Sequence, residues 1–375
     1  MKASPGRFPS HRSSLHITRR DLLTRGSALA GGLAAATLVS GCGGGSSGPS
    51  GGGGGDRVVV ADWGGALVEA EKKYIFDPFS KETGIEVVVA GPPTGARIKA
   101  MVETGTIEWD VIAGGPGTVL PIGRDYFEEL PDRLLDIPGV DHSYVDRNWL
   151  TYYLFSVVLA WSTKAPWAKR GMKGWQDFWD VQAFPGRRTL RGADNGVPPD
   201  MEFALLGDGV VADRLYPLDV ERAFVSLDRL KPHVPQWWVS GAQPGQMLVG
   251  EQVAASSIFS GRVGALKNSG APVDFTWNGG MFELASWSVI KGAPHKEAAF
   301  KLMEYSLRPE VQAAVWSNYP NGPANSKALD LMDKDFAKTL PSHPDNLEVQ
   351  FMQNGEWWGE HRDAVLKRFQ TFAAT

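Results

Sequence analysis

From Arg57 to the C-terminus, short runs of β-branched residues alternate with stretches in which apolar positions recur every three or four residues. Val58-Val59-Val60-Ala61 reads as a buried strand. Leu67, Ala70, Tyr74, Ile75 and Phe79 then recur at helical spacing until Thr83-Gly84 closes the segment. Glu86 to Ala90 is the next strand, Pro92-Pro93-Thr94-Gly95 turns into a helix near Arg97 to Glu103, and Asp110 to Ala113 is a third strand ending in Gly114-Gly115-Pro116-Gly117. Strand, helix, strand, helix, strand predicts parallel strands joined by right-handed crossovers, an α/β class. Such sheets hold ligands at the carboxyl ends of their strands, so Asp62-Trp63-Gly64-Gly65 and the turn around Gly115 are where a solute is expected.

Leu154 to Trp161 is a long apolar strand, expected to cross from one lobe to another. Beyond it the pattern predicts a helix over 246–250, a strand over 253–259, a helix over 262–268 and strands over 273–277 and 284–290, the last a return crossing. Lys296 to Val315 reads as one amphipathic helix, with Ala299, Leu302, Met303, Ser306 and Leu307 on one face. After Asn325 the tail is expected to be helical apart from an interruption at Pro341 to Pro344.

Ahead of this body, Thr18 to Cys42 carries the twin arginines Arg19 and Arg20, a weakly apolar Ala/Gly/Leu run and then Val39-Ser40-Gly41-Cys42. The run is too short to span a bilayer, which needs about 20 apolar residues. It reads as an export signal over residues 1–41, ending in a lipobox-like cleavage site that leaves Cys42 acylated. The Gly/Ser-rich stretch of residues 42–56 cannot bury enough apolar surface to offset its ordering entropy and reads as a flexible tether. Its GxSxG and GxGxxG matches are accidents of composition, since no strand precedes them and no apolar helix follows.

The whole chain has a net charge of -4. Six of the 38 basic residues but only one acid, Asp21, precede Cys42, so the chain from Cys42 onward stands at about -9. That surplus argues against nucleic acid as a partner. With Cys42 the only cysteine, no intrachain disulfide forms. His142, His233, His295, His343 and His361 lack metal-ligand spacing, so neither a metal nor a cofactor is expected.

The segments FDPFSKETGIEVVVAGPPTGARIKAM, WDVIAGGPG, SSIFSGRVGALKNSGAPVDFTWNGG, SWSVIKGAPHKEAAFKLMEYSLRPEVQAAVWSNYPNGPANSKAL and NGEWWGEHRDAVLKRF, in this order, resemble the extracellular solute-binding proteins of ATP-driven importers, in the branch that includes the spermidine/putrescine-binding proteins. The resemblance covers nearly all of the chain after Cys42. It implies a two-lobe periplasmic-binding-protein-like fold of type II, closing on a solute about a hinge. Residues 57–158 plus 286–330 would form lobe 1, and 159–285 plus 331–375 lobe 2. The implied partners are a small organic solute, ABC permease and ATPase subunits, and the membrane through the lipid on Cys42; no enzymatic activity is implied.

By the same resemblance, Trp63 stands at the family's aromatic position after the first strand, Phe259 replaces a tryptophan, and Arg262 keeps an arginine found in many relatives. Tyr319 falls at the tyrosine before a G-P-x-N turn and Trp358 at a polar ligand contact. Ala285 occupies the place of an amine-holding acid, with Glu283 two residues earlier on the same strand face; Asp194, Asp200 and Glu202 are candidates for the acids of the second lobe. Aromatic rings attract a cation through their faces, so Trp287 is counted with Trp63 and Phe259 as a ring for the cationic end of a ligand. Trp149, Trp161, Trp167, Trp175, Trp179 and Trp316 are expected to pack in the core instead. Aromatic walls, an arginine and scattered acids suit a small amine or an amino-acid-like zwitterion. The alternatives are a polyamine binder proper, a ligand-sensing lipoprotein and a secreted hydrolase.

Overall fold

The computed structural model describes residues 56–193 and 199–375. The twin-arginine segment, Cys42, all of the tether but Asp56, and Asp194 lie outside the described residues. Strands β1 (Arg57–Ala61), β2 (Glu86–Ala90) and β3 (Val111–Ala113) pair in parallel about a central β1. Residues 65–83 between β1 and β2 form a helix that passes through a π-helical stretch at Lys72–Phe76. It ends at Gly84, whose φ of 75° is the left-handed cap that glycine adopts without steric cost. The next helix, Gly95–Thr104, starts on Thr94, whose side chain accepts the Arg97 N–H.

Two long strands, β4 (Trp149–Ser162) and β7 (Val273–Val289), with β5 (Arg188–Thr189) and β6 (Ala255–Phe259), complete the main path β2-β1-β3-β7-β4-β6-β5. β4 and β7 run antiparallel from Leu150 opposite Trp287 to Ser162 opposite Val273. The expected strands 273–277 and 284–290 are therefore one element. Trp277 to Gly280 looks like a turn in sequence but is a bulge, where the register jumps between Val157 opposite Met281 and Leu159 opposite Thr276.

Separate hydrophobic cores lie at the two ends of this ribbon. One gathers Val58, Phe79, Val111, Tyr152, Trp287, Leu302 and Trp316; the other gathers Val157, Trp161, Trp175, Phe203, Leu227, Trp358 and Phe369. Met332, Ala337 and Leu340, expected in lobe 2, pack into the first core, and the tail joins the second core from Phe351 onward, through the helix Gly355–Ala374. The helix expected over 296–315 is two, Lys296–Ser306 and Pro309–Trp316. Arg308 is extended at φ -61° and ψ 133° because a residue before proline is excluded from helical geometry.

Candidate functional site

Directly opposed residues of an antiparallel pair share a face, so Tyr153 opposite Ala285 and Phe155 opposite Glu283 make one surface of the β4–β7 ribbon between the two cores. The short strand Gly322–Pro323 pairs with Tyr153 and Leu154 and brings the preceding Tyr319 to the same region, half-buried. Phe259, at the end of β6, meets Phe155 at 5.8 Å between ring centroids and Trp238 at 5.5 Å. Arg262 lies in the first turn of the helix Ser260–Asn268, exposed, and its Nε stands 2.9 Å from where a Cβ on Gly241 would be. Among the described residues no acid lies within ion-pair distance of it. Tyr319 is close enough for burial to raise its phenol pKa and for the Arg262 charge to oppose that rise.

Trp63 projects from the carboxyl end of β1 with 62% of its surface exposed, the largest exposure of any large apolar side chain among the described residues. It is held rather than loose, because its Nε1 donates to the carbonyl of Ala113 at 2.8 Å. Gly64 and Gly65, at φ 80° and 74°, let the chain reverse immediately behind the ring into the following helix. Beneath Trp63 lie two buried acids, Asp62 and Glu71. The Tyr152 hydroxyl donates to Glu71 Oε1 at 2.7 Å, while Glu71 Oε2 and Asp62 Oδ2 have no hydrogen-bond partner among the described residues. Burial raises the pKa of Asp62; burial and then the charge of Asp62 raise that of Glu71 well above the usual carboxylate range. The two carboxyl groups are close enough for the charge of one to raise the pKa of the other, so the fold disfavours ionising both.

In the second lobe Arg191 is the pivot. Its Nε donates to Asp200 Oδ1 at 3.1 Å and its Nη1 to Glu283 Oε1 at 2.8 Å. Burial alone would lower the pKa of this guanidinium, but Glu283 and Asp200 more than offset that and hold it above its ordinary value. Glu202 faces elsewhere, accepting from Trp358 Nε1 at 2.7 Å and from the Tyr216 hydroxyl.

The expected binding residues thus separate. Trp63, Phe259, Arg262, Glu283 and Tyr319 have surface to offer a ligand. Trp287 does not: it is 1% exposed, 4.3 Å from the Tyr152 ring inside the first core. Trp358 is equally enclosed, at 2%. Gly115 is buried against β7, where a Cβ would stand 2.6 Å from Ser286 Oγ, so it is required by packing. Sequence reading missed Tyr153, Phe155, Glu71 and Arg191. Among the described residues no group of three His, Cys, Asp or Glu side chains forms a metal cage.

The lobes also touch beside the cleft. The helix Gly355–Ala374 lies on the helix Pro116–Ile122, with Arg362 Nη1 donating to the Gly117 carbonyl at 2.8 Å. Cβ atoms on Gly355 and Gly359 would stand 2.7 Å from Pro116 Cβ and 2.8 Å from Leu120 Cβ, so this approach depends on glycine.

Two cored lobes, a paired ribbon between them and an aromatic, charged surface at that crossing define a protein that holds a small solute between its lobes. The family described as bacterial extracellular solute-binding protein matches residues 74–344, and this chain belongs to it. It is 36% identical over 331 residues to the gamma-aminobutyric acid-binding protein of Pseudomonas aeruginosa, covering 84% of this chain and 91% of that one. It is 23% identical over 296 residues to the spermidine/putrescine-binding periplasmic protein of Escherichia coli, covering 76% and 82%. The solved structure of a GABA receptor superposes with a TM-score of 0.77 at 32% identity, covering 85% of this chain and 98% of that one.

Proposed function

We propose that this protein captures a small zwitterion of the γ-aminobutyrate class between its lobes and delivers it to the permease and ATPase of an ABC importer. Arg262 carries this reading: an exposed guanidinium, unpaired among the described residues, beside Tyr319 and near the Phe259 ring. A guanidinium forks a carboxylate through two charge-assisted hydrogen bonds. Trp63, Phe259 and Tyr319 then offer ring faces and Glu283 an acid to the ammonium end. A polyamine has no carboxylate for Arg262 and finds the apolar Ala285, not an acid, opposite Tyr153 on the ribbon face of Glu283. The relative named for gamma-aminobutyric acid supports the same choice.

Residues 1–41 are proposed as a twin-arginine lipoprotein signal, Cys42 as the acylated first residue of the mature chain and residues 43–56 as its tether. The mature protein then works outside the cytoplasmic membrane, held at its outer face.

A thermal-shift panel of the mature protein with γ-aminobutyrate, putrescine, spermidine and glucose tests the ligand class. Ligand at 100 times its dissociation constant stabilises the folded state by about 2.7 kcal/mol. γ-Aminobutyrate should raise the melting temperature most; a larger rise with spermidine or putrescine would overturn the reading.

A further inference from the structure

Arg191 is 2% exposed, on no surface a ligand could grip, yet it is bonded to the acid that faces the cleft. Besides the two side-chain contacts to Asp200 and Glu283, its backbone N–H donates to Asp200 Oδ2 at 2.7 Å. Asp200 also accepts from the Ser257 hydroxyl, which in turn takes the Trp238 Nε1–H at 3.0 Å. Trp238 packs on Phe259, so the guanidinium and its inner carboxylate are fixed behind the aromatic wall. Only Glu283, with its side chain 17% exposed, communicates with the cleft, on the ribbon face of Tyr153 and Phe155.

A diamine carries two positive charges and meets in Glu283 a carboxylate already hydrogen-bonded to a fixed guanidinium, against which its second ammonium must compete. Resting on the amino-acid reading above, we infer that Arg191 is a specificity-determining residue, an internal cation standing where a further ligand ammonium would be held, so that the cleft takes an amino acid and refuses diamines. Discrimination of this kind comes from a built-in repulsive element as much as from attractive contacts. Arg191 acts through Glu283 and is a positioning residue.

The test is calorimetry on the mature protein, reading the ratio of putrescine to γ-aminobutyrate affinity, with circular dichroism to confirm folding. Losing the Arg191 contact frees Glu283 for a second ammonium, so R191M should raise that ratio about tenfold or more. R191M/D200N, which removes the buried acid left without its cation, keeps the protein folded and should shift the ratio in the same direction. R191K keeps the charge and should keep the wild-type preference, an outcome that a merely structural role for Arg191 does not require. A wild type that prefers putrescine overturns the amino-acid reading itself. A wild type that prefers γ-aminobutyrate, with an unchanged ratio in folded R191M and R191M/D200N, overturns only the role of Arg191.

Discussion

Replacing Glu71 by Gln should raise the stability of the folded protein at neutral and alkaline pH and leave it nearly unchanged in acid. Glu71 is fully buried, with Oε1 taking the Tyr152 hydroxyl and Oε2 facing only Asp62, so ionising both carboxyl groups places two charges side by side away from water. The folded-state pKa of Glu71 lies above its unfolded value. Its stabilising contribution is therefore fully present below the unfolded carboxyl pKa of about 4.3 and is lost as pH rises through the folded one. For a single proton the loss is about 1.4 kcal/mol per pH unit across that window. Gln does not titrate, offers Oε1 to Tyr152 and can donate from Nε2 to Asp62. Urea unfolding of wild type and Glu71→Gln at intervals from about pH 4.5 to about pH 8.5 measures the gap, which should be near zero in acid and widen upward. Parallel curves, or a variant less stable at the upper end, would refute the raised pKa of the buried Glu71.

Gly359→Val places a branched side chain where a Cβ already stands 2.8 Å from Leu120 Cβ; it should prop the lobes apart, and solution scattering with saturating ligand should show a larger radius of gyration than wild type. Trp287→Ala and Trp358→Ala remove enclosed core side chains and should each cost about 3–5 kcal/mol in denaturant unfolding. Trp63→Ala, at a ring 62% exposed, should leave unfolding within about 1 kcal/mol of wild type while weakening ligand binding in calorimetry. Cys42→Ser should move the protein from the membrane fraction to the soluble fraction or leave it unprocessed, because stable anchoring needs two lipid signals; a mature-sized membrane species in that variant would contradict acylation.

Local pattern carried much of the fold. The β-branched runs at 58–61 and 86–90 coincide with β1 and β2 because a short run of valines bounded by polar residues and turn signals favours extended backbone whether the strand is central, as β1 is, or at the edge, as β2 is. The break at Pro309 was legible in principle, since the residue before a proline leaves helical geometry, but the apolar periodicity runs through it unchanged. The bulge at Trp277 to Gly280 was not: two glycines suggest a turn, and only the partner strand decides that the chain continues. The exposure of Trp63 was legible from the Gly-rich turn at a strand's end, whereas Phe259 and Tyr319 were named through the family resemblance alone. The enclosure of Trp287 and Trp358 was not legible, since an aromatic residue on a strand or helix looks alike whether its face meets a cleft or a core. Arg191 was hidden for a different reason. Its partners lie 9 and 92 residues away, and a lone arginine between Leu190 and Gly192 gives no sign of pairing with Glu283. Glu71 reads as an ordinary polar helix position; the Tyr152 contact that marks it as buried spans 81 residues.

The central claim is that Arg262 receives the carboxylate of an amino-acid ligand, and isothermal titration of γ-aminobutyrate into wild type and Arg262→Ala tests it most directly. Hydrogen bonds to a charged group are worth about 1.5–3 kcal/mol, so the variant should bind on the order of 10- to 100-fold more weakly while its unfolding midpoint stays near that of wild type. Equal affinity in the two proteins, or putrescine binding tightly and indifferently to Arg262→Ala, would contradict the account.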